Sequence, residues 1–387
     1  MVEGKFSRRS LLWLGMGALG TFGACQLGRS QEVSSPLTMQ LGEHGLKTYA
    51  QAQGVLYGSA VRFKDLKADP EYAARVAQEC GVLVPEWTLK WHVSHPESPP
   101  LRPAPDQFDF TGADWIANFA RTHGLPLRGH TLVWYNSLPP WLAETINAEN
   151  AEAIMVNHIE TVAGRYAGQM HSWDVVNEAI AHDPTRGRSD GLRETPWLEF
   201  IGPHYVEQAF EVAARTDPDA LLVYNDYGLD YDTRENDAKR TAVLKLLERL
   251  KNKGAPVHAL GTQAHLWGDR DQFNARKLQT FFRNVADLGL KIMITEMDVN
   301  DKNLPSDIGK RDQQVAHVYQ EYLTTALAEP AVIAVITWAL SDRYTWLSEF
   351  HPRADGLPVR PMPLDSNLER KPAWESMAQV FATATSR

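Results

Sequence analysis

Short apolar segments of strand length alternate along most of this chain with segments of helical periodicity, which limits the folds open to it. The strand-like segments are Gly54–Val61, Gly81–Glu86, Leu127–Trp134, Met170–Asn177, Ala220–Asn225, Val257–Gln263, Leu290–Glu296 and Val332–Trp338. The helical segments include Ala113–His123, Ala151–Ala167, Tyr205–Arg215, Asp237–Lys253, Ala275–Leu288 and Lys310–Ala328. Strands that alternate with helices form parallel sheets, and eight such strands close a barrel. The pattern predicts the α/β class and a single (β/α)8 TIM barrel.

An open, doubly wound sheet is the structural alternative to a barrel. It is disfavoured because no Gly-x-Gly-x-x-Gly motif follows the first predicted strand. The proline-rich stretches His95–Pro105 and His351–Pro363 are interpreted as loops after strands, not as linkers between domains. We therefore expect one barrel domain over residues 46–387 of the 387-residue chain.

The N-terminal residues have the layout of an export signal. Arg8 and Arg9 precede an apolar run, Leu11–Gly23, that is interrupted by glycines and too short to span a bilayer. This predicts a Tat-type signal peptide over residues 1–25, with a polar tether over residues 26–45. Cys25 ends a segment that resembles a lipobox, so it is a candidate lipid anchor. A frayed amphipathic helix is the structural alternative. Export predicts a periplasmic, cell-surface or secreted protein that a lipid at Cys25 would tether to the membrane.

The charge and cysteine content exclude several classes of function. The formal net charge of −9, from 48 acidic and 39 basic side chains, argues against a nucleic-acid partner, because excess negative charge repels phosphates. Two cysteines exclude a disulfide-rich scaffold and a cysteine-based zinc module. If Cys25 is lipidated or removed, Cys80 has no disulfide partner, and it is expected to be a buried structural thiol.

Carboxylates stand where two of the predicted strands end. Glu178 closes the segment Trp173–Glu178, and Glu296 lies in Ile294–Asp298. The fourth and seventh strands of a barrel lie nearly opposite each other, so both side chains would face one central cleft. Two carboxyl groups in different environments are what glycoside hydrolysis requires, one protonated and one ionised. Salt bridges at the strand ends are the structural alternative for either residue alone.

Polar and aromatic residues at other strand ends suit a carbohydrate ligand. Asn, Gln and His side chains can bind sugar hydroxyls, and Trp rings can stack on the apolar faces of sugars. The candidates are His130, Trp134, Gln263, His265, Trp338 and Trp346, whereas Trp115 and Trp173 are expected in the core. The histidines lack the spacing of a zinc motif, so we expect neither a metal nor another cofactor.

These segments together resemble glycoside hydrolase family 10. The likeness is carried by Arg128–Trp134, Trp173–Glu178, Ile294–Asp298 and Trp338–Trp346, and extends from about Leu46 to the C-terminus. Shorter matches are Glu86-Trp87-Thr88-Leu89-Lys90-Trp91, Tyr224-Asn225-Asp226-Tyr227, Pro363-Leu364-Asp365 and Lys371-Pro372-Ala373. The family consists of retaining endo-β-1,4-xylanases, so the resemblance implies double-displacement hydrolysis of a xylan-type polysaccharide.

The resemblance also implies a role for individual residues. Glu178 matches the family's acid/base, Glu296 its nucleophile, and Asn177 the residue that binds the sugar 2-hydroxyl. His265 and Asp298 would orient Glu296. The remaining matches to substrate-binding residues are Glu86, Lys90, His130, Trp134, Gln263, His265, Trp338 and Trp346. A retaining mechanism predicts that the two carboxyl groups lie about 5–5.5 Å apart.

Several positions depart from the family pattern, and most lie near the expected glycone subsites. Trp87 stands where the family usually has Asn, Tyr135-Asn136-Ser137 replaces a segment with His and Gln, and Ala339 replaces Gly. We therefore expect catalysis to be retained with an altered substrate preference. Two alternatives stay open: a related barrel glycosidase acting on another β-linked glycan, and a cell-attached glycan-binding protein with weakened catalysis. No separate carbohydrate-binding module is visible, and we expect a monomer.

Overall fold

The computed structural model describes residues 44–93, 95 and 99–385. The predicted signal peptide, the lipobox at Cys25 and nearly all of the predicted tether lie outside these residues. The strands of the described part are β1 (Leu56–Val61), β2 (Val82–Pro85), β3 (Leu127–Gly129), β4 (Met170–Asn177), β5 (Leu221–Asp226), β6 (Ala259–Thr262), β7 (His265–Trp267), β8 (Lys291–Asn300) and β9 (Val332–Thr337).

Helices occupy the connections between the strands and lie at the chain ends of the described part. They are α1 (Leu46–Gln51), α2 (Phe63–Ala68), α3 (Pro70–Glu79), α4 (Thr111–Thr122), α5 (Pro140–Thr145), α6 (Ala151–Arg165), α7 (Pro196–Phe200), α8 (Tyr205–Thr216), α9 (Arg234–Asn252), α10 (Ala275–Asp287), α11 (Ile308–Ala326), α12 (Leu347–Phe350) and α13 (Pro372–Thr383), with a 3₁₀ turn at Asp342–Tyr344. No helix within the described ranges combines the length and the apolar content needed to cross a membrane.

The sheet is parallel and closed. β1 pairs with β2 through Gly58 and Val82 and with β9 through Gly58 and Ile336, so the first and last strands meet. The order around the barrel is β1-β2-β3-β4-β5-β6-β8-β9. The predicted (β/α)8 barrel is therefore confirmed, with all eight predicted strands present.

β7 is a short strand that the sequence pattern did not predict. β8 continues beyond the barrel to Asn300, and β6 ends at Thr262, so the outer half of β8 lacks its barrel neighbour. β7 pairs with this outer half, where His265 lies beside Asp298. The extension brings residues from two neighbouring strands into contact above the barrel.

β3 is shorter than predicted and ends at Gly129 instead of Trp134. A Cβ atom added at Gly129 would lie 2.0 Å from the indole of Trp173, so the chain passes directly against that ring. The following residues stay attached to β4, because the amides of Leu132 and Val133 donate to the carbonyls of Asp174 and Val175. The register of β3 and β4 shifts between Leu127 and Arg128, so the regular ladder is short although the contact continues beyond Gly129.

The barrel interior is packed with aliphatic side chains and capped by one indole. The inward cluster consists of Ala60, Val82, Val84, Val223, Ala259, Met293, Ala334, Ile336 and Trp338. Burying each large side chain contributes about 1.5–3 kcal/mol relative to leaving it exposed. Because side chains fill this interior, it leaves no room for a ligand inside the barrel.

The residues that were expected to serve only packing lie in buried or half-buried positions. Trp173 and Cys80 are fully buried, and burial raises the pKa of the Cys80 thiol, which makes it unreactive. Trp115 is half-buried between the rings of Phe63 and Phe119.

Candidate active site

The predicted site residues converge at the carboxyl ends of the barrel strands. Glu178 directly follows β4, Gln263 directly follows β6, and Trp338 directly follows β9. Glu296 lies within β8 at the level where the barrel opens, and His130 directly follows β3. Closure of the sheet thus brings residues that are up to 208 positions apart (338 minus 130) to one mouth.

Glu178 is held by hydrogen bonds to Asn177 on β4, Asn225 on β5 and Gln263 directly after β6. Its backbone amide donates to the carbonyl of Asn225 at 2.8 Å. Its Oε1 accepts from Gln263 Nε2 at 2.9 Å and from Asn177 Nδ2 at 3.1 Å. The residue has φ +57°, a left-handed conformation that costs free energy in a non-glycine residue and is concentrated at functional sites. The surrounding contacts therefore fix where this carboxyl group points.

The environment of Glu178 favours its protonated form. The residue is only 7% exposed, and burial raises the pKa of its carboxyl group. The nearby charges of Asp226 and Glu296 act in the same direction, whereas the Gln263 amide and Lys239 oppose them. A carboxyl group with a raised pKa can donate a proton.

The environment of Glu296 favours its ionised form. Burial would raise its pKa, but hydrogen bonding to His265 and the electrostatic effects of His130, His265 and Lys90 lower the pKa to about 2. Its Oε1 accepts from Asn225 Nδ2 at 2.8 Å, and its Oε2 lies 3.3 Å from His265 Nε2. Two carboxyl groups in one cleft thus have pKa values that are pushed in opposite directions, as an acid and a nucleophile require.

His265 connects Glu296 to a second carboxylate. Its Nδ1 lies 3.0 Å from Asp298 Oδ1, and Trp346 Nε1 donates to Asp298 Oδ2 at 2.7 Å. Burial alone would lower the pKa of His265, but Asp298 and Glu296 outweigh it and raise the pKa to about 10. The ring is therefore an imidazolium at neutral pH, with one N–H directed at each carboxylate.

Asn225 links the two glutamates and was not among the predicted site residues. Its Nδ2 donates both to Glu296 Oε1 and to Asn177 Oδ1, and Asn177 in turn donates to Glu178. Its Oδ1 accepts from the Thr295 hydroxyl at 2.7 Å. The available signal was its position at the end of the fifth strand, but an amide at one strand end gives no indication of its partners.

Asp174 is a second residue that the sequence analysis did not assign to the site. Its carboxylate binds the Arg128 guanidinium and lies 2.8 Å from His130 Nδ1. The His130 ring then lies 5.3 Å from the ring of Trp338 in an edge-on arrangement. Asp174 therefore fixes the orientation of a predicted substrate-binding histidine from beneath.

The predicted glycone-side residues form a cationic and aromatic group. Lys90 Nζ lies 5.2 Å from the Trp134 ring centroid and 5.6 Å from that of Trp338. Burial lowers the pKa of Lys90, although nearby carboxylates act in the opposite direction. Glu86 is buried, and Arg62 donates to both of its carboxylate oxygens at 3.0 Å. Lys90 thus lies among the cleft residues, whereas the Glu86 carboxylate is paired with Arg62.

Most of the residues that depart from the family pattern lie around one cavity; Ala339, directly after Trp338, does not line it. This cavity has a volume of about 500 Å³, and its lining includes Trp87, Tyr135, Asn136, Ser137 and Phe350. It adjoins the cleft through Tyr135, whose hydroxyl interacts with Glu178. The altered positions, although 48 residues apart (135 minus 87), therefore change one region of the surface.

Trp87 is enclosed by its neighbours. The Arg62 guanidinium lies 4.0 Å from its ring centroid, and the ring of His95 lies 4.6 Å away. Arg62 also binds Glu349 at 3.1 Å. The indole therefore packs against a cluster of charged groups where a compact amide would leave space.

The described residues contain no group of three or more His, Cys, Asp or Glu side chains arranged to hold a metal ion. The histidines of the cleft are instead paired with carboxylates, His130 with Asp174 and His265 with Asp298 and Glu296.

A closed (β/α)8 barrel is present, and of two carboxyl groups at its mouth one has a raised pKa and the other a lowered pKa. This combination is typical of barrel glycoside hydrolases. The family described as Glycosyl hydrolase family 10 matches residues 45–380. The chain belongs to this family.

Similar proteins carry related names. The chain is 33% identical over 357 residues to endo-1,4-beta-xylanase 1 of Humicola insolens, covering 90% of this chain and 76% of the relative. It is 35% identical over 308 residues to a beta-1,4-xylanase of Dictyoglomus thermophilum, covering 76% of this chain and 80% of the relative. The structure superposes on native xylanase 10B of Thermotoga maritima with a TM-score of 0.77 and 31% identity, covering 87% of this chain and 98% of that one. Its superposition on xylanase 10B of Thermotoga petrophila, in complex with xylobiose, has a TM-score of 0.77 at 30% identity. The match covers 87% of this chain and 97% of that one.

The charge on His265 predicts a pH-dependent contribution to stability. Because its pKa in the folded state is raised, the contribution is complete below the unfolded value of about 6.5 and is lost as pH rises through about 10. The difference in free energy of unfolding between the wild type and His265→Gln should therefore decrease over this window, by at most about 1.4 kcal/mol per pH unit. Urea denaturation at a series of pH values measures it. His123→Gln, at an exposed histidine, is the control and should show no such trend. A difference that stays constant from pH 6.5 to 10 would contradict the prediction.

Proposed function

We propose that this protein is a retaining endo-β-1,4-xylanase with Glu178 as acid/base and Glu296 as nucleophile. The observation that carries the proposal is the pair of facing carboxyl groups whose pKa values are pushed apart at the mouth of a family 10 barrel. Glu296 attacks the anomeric carbon while Glu178 protonates the departing glycosidic oxygen. Glu178 then removes a proton from water, which displaces Glu296 and restores the original anomeric configuration.

The other cleft residues position the sugar and the nucleophile. Asn177, held by Asn225, is placed to bind the 2-hydroxyl of the reacting sugar. His265 and Asp298 orient Glu296 and help to keep it ionised. The sugars are bound by Glu86, Lys90, His130, Trp134, Gln263, His265, Trp338 and Trp346. The separation of about 5–5.5 Å between the carboxyl groups stays a prediction of the retaining mechanism.

A xylan-type polysaccharide is the substrate that the comparisons favour. The relatives from Humicola insolens and Dictyoglomus thermophilum are named as 1,4-β-xylanases, and the Thermotoga petrophila structure contains xylobiose. These chains match this one along most of their length, so the cleft is part of the similarity. We propose that the enzyme acts as a monomer, without cofactor, on internal β-1,4-xylosidic bonds.

Substitution of the two glutamates separates their roles. Glu296→Ala should reduce kcat on xylan by at least about 10³-fold, because no nucleophile remains. Glu178→Ala should lose about 10²–10⁴-fold on xylan, but much less in the glycosylation of 2,4-dinitrophenyl β-xylobioside, whose leaving group needs no proton. Reducing-sugar release and a burst of dinitrophenolate measure the two effects. Glu375→Ala, at an exposed glutamate on α13, is the control.

Trapping distinguishes the enzyme from its two alternatives. A 2-fluoro xylobioside should form a covalent adduct that mass spectrometry locates at Glu296. Faster hydrolysis of a β-glucan than of any xylan would favour a glycosidase for another β-linked glycan. The absence of an adduct with any 2-fluoro sugar would favour a glycan-binding protein.

The glycone end of the cleft should set substrate preference. Because Trp87 and Ser137 line the cavity beside the cleft, Trp87→Asn combined with Ser137→Gln should alter kcat/KM on xylotetraose at least about threefold. The same variant should leave hydrolysis of a short aryl xyloside within about twofold, since the carboxyl pair is untouched. Thr383→Asn, on α13, is the control. Unchanged kinetics on xylotetraose would count against a role for these positions.

We also propose that residues 1–25 are a Tat-type export signal, residues 26–45 a tether and residues 46–387 the catalytic domain. This proposal is supported by the sequence, in which Arg8 and Arg9 are followed by a short apolar run and then by Cys25. In a bacterial host with a Tat pathway, Arg8→Lys with Arg9→Lys should leave the precursor in the cytoplasm, as cell fractionation measures. Cys25→Ala should release an anchored form from the membrane fraction, and Ser30→Ala is the control. Efficient export of the double-lysine variant would contradict the Tat assignment.

A further inference from the structure

A buried ion pair lies behind Glu178, outside the catalytic cleft. Lys239 Nζ, on α9, is 2.7 Å from Asp226 Oδ1, at the end of β5. Both residues are almost fully buried, with Lys239 1% exposed and Asp226 0% exposed. The Lys239 ammonium group also lies 3.4 Å from the ring centroid of Tyr227. Charges in a pair so far from water are little screened by salt.

Further hydrogen bonds fix the orientation of Asp226. Its Oδ2 accepts from the Tyr224 hydroxyl, and its Oδ1 accepts from the Tyr227 amide at 2.9 Å. The Tyr224 hydroxyl in turn accepts from the amide of Ile180, two residues after Glu178. The carboxylate is thus tied to the same segment that carries Glu178.

The sheet register places Asp226 beside Glu178. Asn177 and Asn225 are paired residues of β4 and β5, and the Glu178 amide donates to the Asn225 carbonyl. Asp226 is therefore the neighbour of Glu178 in the next strand. Its own carbonyl accepts from the amide of Gln263, the residue whose side chain binds Glu178.

Other charged and titratable groups also surround Glu178. Glu296 on β8 and Lys90 in the loop after β2 both interact with it electrostatically. Tyr135, in the loop after β3, has its pKa raised to about 12 by burial and by the Glu178 carboxylate, so it is neutral. Arg193 donates to the Glu178 backbone carbonyl at 2.9 Å. Asp226 and Lys239 are thus two of several influences, and they differ in lying behind the acid/base and not in the cleft.

We propose that Asp226 and Lys239 form a positioning element for the acid/base: the fixed negative charge of Asp226 favours the protonated carboxyl of Glu178, and Lys239 holds that charge in place. The inference rests on the proposed role of Glu178. A like charge disfavours ionisation of a neighbouring carboxyl, and the effect is strong where water is excluded. Lys239 stabilises the buried carboxylate, and its own charge partly offsets the effect of Asp226 on Glu178. Removing the pair should therefore change the pH range of proton donation.

The pH dependence of kcat/KM on xylohexaose tests the proposal. In Asp226→Asn, Glu178 loses a like charge and keeps the cation, so the basic limb should move to lower pH by about one unit or more. This shift corresponds to a loss of roughly tenfold in kcat/KM at pH values above the limb. In Asp226→Asn combined with Lys239→Met both charges are absent, and the limb should lie between those of the wild type and the single variant. The double variant leaves no buried charge unpaired, so it can still test the proposal if the single variant does not fold.

Two comparisons separate this role from a merely structural one. With 2,4-dinitrophenyl β-xylobioside, which needs no proton, kcat/KM for Asp226→Asn should stay within about twofold of the wild type. Asp237→Asn, at an exposed ion pair on the same helix, should not move the basic limb. A basic limb that stays in place while kcat/KM falls equally at every pH would overturn the proposal. If Glu178→Ala retains the wild-type basic limb, the role of Glu178 itself is wrong, and that outcome is distinct from a failure at Asp226.

Discussion

The pairing of β1 with both β2 and β9 closes the sheet, and the geometry of the cleft depends on this closure. A closed barrel of eight strands has an interior just wide enough for side chains to fill. Here that interior is packed from one end to Trp338, so polar groups are left at the carboxyl ends of the strands. Because each strand ends at the same mouth, residues far apart in the chain become neighbours there without any long-range loop.

Within the mouth, amide side chains hold two carboxyl groups in unlike electrostatic surroundings. Asn225 donates to Glu296 and to Asn177, and Asn177 donates to Glu178. The imidazolium of His265 lies on the Glu296 side of this bridge, whereas Asp226 lies on the Glu178 side. These surroundings therefore favour the ionised form of Glu296 and the protonated form of Glu178, although both are buried. Burial alone would have raised the pKa values of both.

The glycone end shows how several substitutions act together. Trp87 is packed between Arg62 and His95, and Arg62 binds Glu86 and Glu349. The indole of Trp87 thus has the guanidinium of Arg62 stacked on it. This cluster lies beside the cavity that Tyr135, Asn136 and Ser137 also line, so the effect of these residues on sugar binding is expected to be joint.

The sequence by itself determined the barrel, because eight apolar segments and the helices between them give local signals of period and length. It also pointed to Glu178 and Glu296 as candidates, since carboxylates that close apolar strands require a partner or a function. The bridge through Asn225 and the ion pair of Asp226 with Lys239 could not be predicted in this way. Each depends on which side chains the sheet register and helix packing bring within hydrogen-bonding distance. Only the tertiary structure decided these contacts, because no local pattern encodes a distance between residues remote in the chain.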